Sequence, residues 1–219
     1  RAIGGLKLYN NAEARDLLIS VYRSNPEYQV RKAIITVMGR GYFQDDVTTD
    51  FLIEVAQRAK MDDIIGSALL SLGTSRSPRA YDVLVRHLER DSHLDIIREC
   101  VVGGLAALGD RRATPLVEEK LHPRNRYNVR TSALTALNSL MRGNPRLTEI
   151  LLAATKDEKY HVREEAFILL DGSNSQKVRD HLYNIFEIEP ETGLQYTQQE
   201  TLEAIDGNIG RILERPLRP

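Results

Sequence analysis

VRKAIITVMG (residues 30–39), IIGSALLSLG (64–73), IRECVVGGLA (97–106), VRTSALTALN (129–138) and VREEAFILLD (162–171) are five versions of one ten-residue phrase. Each opens on an aliphatic pair or an aliphatic residue followed by Arg, then runs through small and aliphatic side chains. Successive starts lie 34, 33, 32 and 33 residues apart. A period in that range marks supersecondary units that cannot bury their apolar faces alone and therefore stack on their neighbours. The phrase predicts an all-α superhelix, a solenoid of antiparallel helix pairs.

The second helix of each pair lies upstream of the phrase, at 14–22, 50–58, 78–88, 115–121, 145–154 and 177–186, giving about six repeats. Tyr81, Leu84, Val85 and Leu88 show the i, i+3, i+4, i+7 spacing of a helix, and Leu52, Leu84 and Leu116 recur at equal intervals. Ser77-Pro78, Thr114-Pro115 and Asn144-Pro145 each place a capping side chain before a proline that needs no N–H at the first helical position. Gly39, Gly73, Gly109 and Gly143 are expected to close the phrase helices in the left-handed conformation. The core is expected at Ile35, Leu69, Val102, Leu105, Leu134, Leu137 and Phe167.

At 219 residues with an unbroken repeat, the chain is expected to form a single elongated domain over 1–219. The one cysteine excludes a disulfide framework and fits a reducing, cytoplasmic setting. No apolar run approaches the ~20 residues that cross a bilayer, and no secretion signal is visible, so no membrane role is expected. RAIGGLKLY at the start aligns with a phrase helix, so residues 1–10 are expected to be a partial repeat. Its Ile3, Leu6 and Leu8 would then face an upstream domain, while 187–219 would form a divergent C-terminal cap whose stretch 187–203 is acidic.

Net charge is −1, but residues 76–146 sum to +5 and residues 147–219 to −6. Arg111, Arg112, Lys120, Arg124 and Arg126 form a candidate basic patch for an acidic partner, with a merely solvated face as the plain alternative. A nucleic-acid groove calls for a larger basic excess with stacking aromatics, and tryptophan is absent, so no nucleic acid is expected. None of His87, His93, His122, His161 and His181 has another histidine at i+3 to i+5, and none precedes a glutamate as in the iron-binding hydroxylases of helical-repeat build. Cys100 occupies a small-residue slot among Ile97, Val101 and Leu105, where a packed thiol is inert. The neighbouring carboxylates Glu118-Glu119 and Glu164-Glu165 splay apart on a helix. No catalytic residue, metal ligand or cofactor is therefore expected in this chain.

Two ladders follow the repeat. Arg31, Arg98, Arg130 and Arg163 share one slot, with Asn25, Asp91, Asn125 and Asp157 in the turn four to six residues before each phrase. A guanidinium there suits bidentate ties to the turn, and a binding role is the alternative. Tyr28, Tyr127 and Tyr160 stand two residues before the phrase, where their rings either pack at the helix start or touch an extended polypeptide.

The pattern xVRxxAxxxLG, with an Asp or Asn turn before it and a proline-started helix after it, resembles the HEAT repeat over nearly the whole chain. The stretch DSHLDIIRECVVGGLAALGDRRATPLVEEKL (91–121), with RAIGGLKL at the start, is similar to the C-terminal HEAT-like domain of bacterial and archaeal aminopeptidase N-like zinc metallopeptidases. That resemblance implies a non-catalytic domain that closes or shapes the peptide-access chamber. Its implied partner is an upstream catalytic domain of the same polypeptide. The family's HExxH motif has no match here, so no metal or catalytic residue carries over. A stand-alone HEAT scaffold for protein or peptide partners fits the ladders equally, and a lyase-type helical-repeat enzyme is a third reading.

Overall fold

The structure, a computed structural model, describes residues 11–171 and 175–188. The expectations for Ile3, Leu6 and Leu8, and for the cap beyond residue 188, lie outside the described residues. Every regular element among the described residues is helical. The chain divides into two compact units, Arg1–Leu140 and Met141–Pro219.

In the first unit the helix pairs are α1 (Ala12–Ser24) with α2 (Tyr28–Val37), α3 (Asp46–Arg58) with α4 (Asp62–Thr74), α5 (Ala80–His87) with α6 (Ile96–Leu108), and α7 (Thr114–Glu119) with α8 (Tyr127–Leu140). The second unit holds α9 (Pro145–Ala154), α10 (Tyr160–Leu170) and α11 (Gln176–Ile188). Each phrase falls on the second helix of a pair. The described residues thus make five pairs and the first helix of a sixth.

Helix starts follow the side chains available. Asn11 caps α1 by accepting from the Ala14 N–H at 2.9 Å, and Asp45 caps α3 through Thr48 at 2.7 Å. Asn144 accepts from the Arg146 N–H at 3.0 Å with Pro145 in the first turn, as its sequence predicts. The other two proline starts differ. At Ser77 the carbonyl takes the Ala80 N–H at 2.9 Å and α5 begins after Pro78. Thr114 lies inside α7, because a 3-10 turn over Arg111–Ala113 leads into the helix and Asp110 is the capping residue. Register shifts with it: Leu52 and Leu84 are fully buried, but Leu116 is half-buried and Val117 takes the core position.

The glycines divide in the same way. Gly109 (φ +75°) and Gly143 (φ +81°) are left-handed closures. Gly39 and Gly73 are not closures. Gly39 sits in a single π turn (Met38–Tyr42) that extends α2, and Gly73 lies within α4. Both are sites of close approach: a Cβ on Gly39 would lie 2.4 Å from Ser71 Cβ, and one on Gly73 would lie 2.1 Å from the Gly104 oxygen. Small residues let the phrase helices α2, α4 and α6 approach almost backbone to backbone.

Ile35, Leu69, Val102, Leu105, Leu134 and Leu137 are inaccessible in the first unit, as is Phe167 in the second. In the second unit Leu147, Leu151 and Leu152 of α9 are buried, together with Val162, Ala166 and Leu170 of α10 and Val178 and Leu182 of α11. Among the described residues no helix is long and apolar enough to cross a membrane.

Candidate functional site

The arginine ladder closes turns. Arg31 Nε donates to the Asn25 carbonyl at 2.8 Å, and Arg98 Nε to the Leu88 carbonyl at 3.1 Å. Arg130 Nη1 donates to the carbonyls of Pro123 and Asn125, both at 3.0 Å, and Arg163 Nη1 to that of Asp157 at 3.0 Å. Each guanidinium satisfies carbonyls that the end of the preceding helix and its turn leave without an intrahelical donor. Arg98 adds an ion pair with Asp95. Arg130 is 1% exposed, so this ladder presents no continuous cationic surface.

The basic patch is also largely neutralised. Lys120 is 1% exposed and forms an ion pair with Glu89, which corrects its assignment as a surface cation: the residue that caps the C-terminal end of the short helix α7 turns inward, where only a carboxylate partner makes a buried ammonium tolerable. The bond from Lys120 holds the Glu89 carboxyl below its usual range, against the opposing effect of burial. Arg112 is held by Asp110 at 2.6 Å and lies 4.1 Å over the Tyr81 ring, and Arg124 pairs with Glu119. Arg111 and Arg126 are exposed. Cys100 is half-buried against Gly66, and burial pushes its thiol up to about 11, far from the thiolate a nucleophile needs. Among the described residues no group of three or more His, Cys, Asp or Glu side chains is placed to hold a metal ion.

The tyrosine ladder separates. Tyr127 and Tyr160 are 42% and 40% exposed, whereas Tyr28 is half-buried and donates its hydroxyl to Asp63 Oδ2 at 2.6 Å while accepting from Lys32 Nζ at 3.1 Å. Tyr28 lines an open groove of about 460 Å³ formed where the α1–α2 turn meets the α3–α4 turn. The floor is Tyr22, Phe51, Val55 and Ile64. Tyr22 and Phe51 meet edge to face with centroids 5.1 Å apart. Burial raises the Tyr22 hydroxyl above its ordinary range. The Arg31 guanidinium, fixed by Asn25, lies 5.3 Å above the Tyr22 ring. The rim carries Arg23, Arg58 and Lys60, and Met61 stands 52% exposed at the mouth. Glu54 is the single carboxylate in the wall, and it bridges Arg23 at 3.0 Å and Arg58 at 3.4 Å.

Residues 49–138 match the family model for HEAT repeats. The fold is all-α, built from HEAT-type helix pairs. A chain in the structure of the complex of CpcE and CpcF of phycocyanin lyase from Nostoc sp. PCC7120 superposes with a TM-score of 0.55 at 18% identity, covering 94% of this chain and 87% of that one. Human deoxyhypusine hydroxylase in complex with glycerol aligns at a TM-score of 0.41 and 14% identity, covering 94% of this chain and 89% of that one. No curated protein matches the sequence.

Of the groove, only Tyr28 and Arg31 stand out as candidate binding residues in the sequence. Tyr22, Phe51, Arg58, Lys60 and Met61 do not, because residues 1–75 balance in charge when counted as a block. A count by turn does no better, because Glu27 stands between Arg23 and Arg31 and Asp62 and Asp63 follow Lys60; the excess lies in which of these side chains line the groove.

Proposed function

We propose that this chain is a non-catalytic helical-repeat scaffold that binds another polypeptide, and that the groove between the α1–α2 and α3–α4 turns is its contact. One observation carries the reading: an open groove presents the half-buried Tyr22 and a 52% exposed methionine, Met61, over a buried Phe51, and is framed by side chains already fixed by Asn25, Asp63 and Glu54. Rigid aromatic and arginine side chains around a pocket are the usual anchors of protein recognition, since little entropy is lost when they are covered. CpcE and CpcF, in the complex whose fold this chain shares, are likewise partners of one another.

Selection from a random peptide library on the immobilised chain tests the proposal. It predicts a recurrent sequence whose affinity falls roughly tenfold or more in Met61→Asp, because a carboxylate at the mouth opposes burial of an apolar side chain. No enrichment, or enriched peptides indifferent to Met61→Asp, would contradict it. The narrower role, a C-terminal domain shaping the chamber of an aminopeptidase N-like zinc metallopeptidase, rests on the resemblance of residues 91–121. An HExxH motif encoded upstream in the same reading frame is its direct test.

A further inference from the structure

The groove's charge specifies more than contact with a polypeptide. Resting on the binding role just proposed, we infer that its occupant is an acidic segment of another protein: an aromatic or large aliphatic side chain packed between Tyr22 and Met61, with carboxylates on either side.

Four cations, Arg23, Arg31, Arg58 and Lys60, surround the floor against the single carboxylate of Glu54. Glu54 shows what the rim accepts. One carboxylate already bridges two guanidiniums there, at 3.0 and 3.4 Å. The Arg58 side chain remains 80% exposed, and Lys60 is exposed and makes no ion pair among the described residues. Two cations at the α3–α4 turn are therefore available to incoming carboxylates. Arg31 differs: with Nε on the Asn25 carbonyl and its guanidinium carbon 5.3 Å from the Tyr22 ring centroid, it holds positive charge beside the aromatic wall. A polypeptide with carboxylates beside an apolar anchor satisfies both features at once, and electrostatic complementarity of this kind sets specificity and association rate. A nucleic acid fits less well, because a volume of about 460 Å³ lined by Tyr22, Met61 and Pro26 suits one or two apolar side chains rather than a run of phosphates. A basic segment would meet four like charges.

The test is fluorescence anisotropy with short labelled peptides on the full chain. The lead probe has glutamates around a central phenylalanine. Its companions are the glutamine counterpart, the lysine counterpart, polyglutamate without phenylalanine, oligouridylate, and a peptide of this chain's own residues 187–203, which carry Glu187, Glu189, Glu191, Glu200 and Glu203. The lead probe is expected to bind roughly tenfold or more tighter than every companion and to weaken as salt rises. Arg58→Glu with Lys60→Glu, both exposed, is expected to weaken the lead probe by a similar factor while the chain still melts cooperatively, only slightly lower because Arg58 loses its pair with Glu54; the Gln pair should fall between in binding. Equal binding of the glutamine peptide would overturn the charge requirement while leaving the polypeptide-binding role standing. Equal binding of polyglutamate or oligouridylate would mark a general polyanion site and overturn the proposal. Preferential binding of residues 187–203 would replace a foreign partner with the chain's own tail and also overturn it. If no probe binds while the library still yields peptides sensitive to Met61→Asp, the inference fails alone. If both fail, the binding role fails with it.

Discussion

A methyl group on Gly73 would sit 2.1 Å from the Gly104 carbonyl oxygen and 2.5 Å from Gly104 Cα, inside any van der Waals contact. The obstacle is backbone, so no side chain can rotate away. Gly109 is the opposite case, with nothing within 4 Å of its added Cβ but a φ of +75°. Gly73→Ala is therefore expected to destabilise by about 3 kcal/mol or more through overpacking, despite regaining ~1 kcal/mol of helix propensity. Gly109→Ala costs only the ~1 kcal/mol of a left-handed alanine. Urea midpoints of the two variants check the ordering, and equal midpoints would contradict it. Both glycines are visible in the sequence, but their reasons are not: a period of about 33 residues places Gly73 at the end of its phrase, and only the packing of α4 on α6 shows that closeness, rather than left-handed geometry, requires it. Lys120 teaches the same lesson, since its burial beside Glu89 depends on a register that the sequence misplaced at Leu116.

At the scale of helices, the phrase decided the assignment well. It rests on positions that face the core, and all seven residues expected there are buried because apolar periodicity and burial have one cause. Ends were less legible. Asn144 caps as expected, but the Ser77 hydroxyl accepts from the Arg79 N–H only at 3.4 Å ahead of a helix that starts at Ala80, and Thr114 lies inside its helix behind a 3-10 segment. Leu105, inaccessible on α6, is the position to test how far the repeats are coupled. Leu105→Ala is expected to cost ~2–5 kcal/mol through lost burial and a residual cavity. Because contacts in a stacked repeat are nearest-neighbour, hydrogen exchange should accelerate most in α4 to α8 and least in α1 and α2. Equal acceleration from α1 to α8 would show one cooperative core instead.

On the scale of the whole molecule, formal charge hides function. The chain is nearly neutral, and the +5 of residues 76–146 points to a patch whose Lys120, Arg112 and Arg124 are already paired with Glu89, Asp110 and Glu119. The groove lies instead in the stretch that balances in charge, because cations from two consecutive turns converge only when helix pairs stack. No composition count over a long window detects that convergence. The account's central claim is that this groove, and not the ladder arginines Arg98, Arg130 and Arg163 or the middle repeats, receives a polypeptide. Titrating the isotope-labelled chain with the phenylalanine-centred acidic peptide, and following backbone amide shifts by NMR, tests it most directly. The account predicts saturable shifts concentrated over residues 22–31 and 51–64, around Tyr22, Arg31, Phe51 and Met61. Shifts centred on Arg111, Arg126 and Tyr127, with residues 22–31 and 51–64 unmoved, would contradict it.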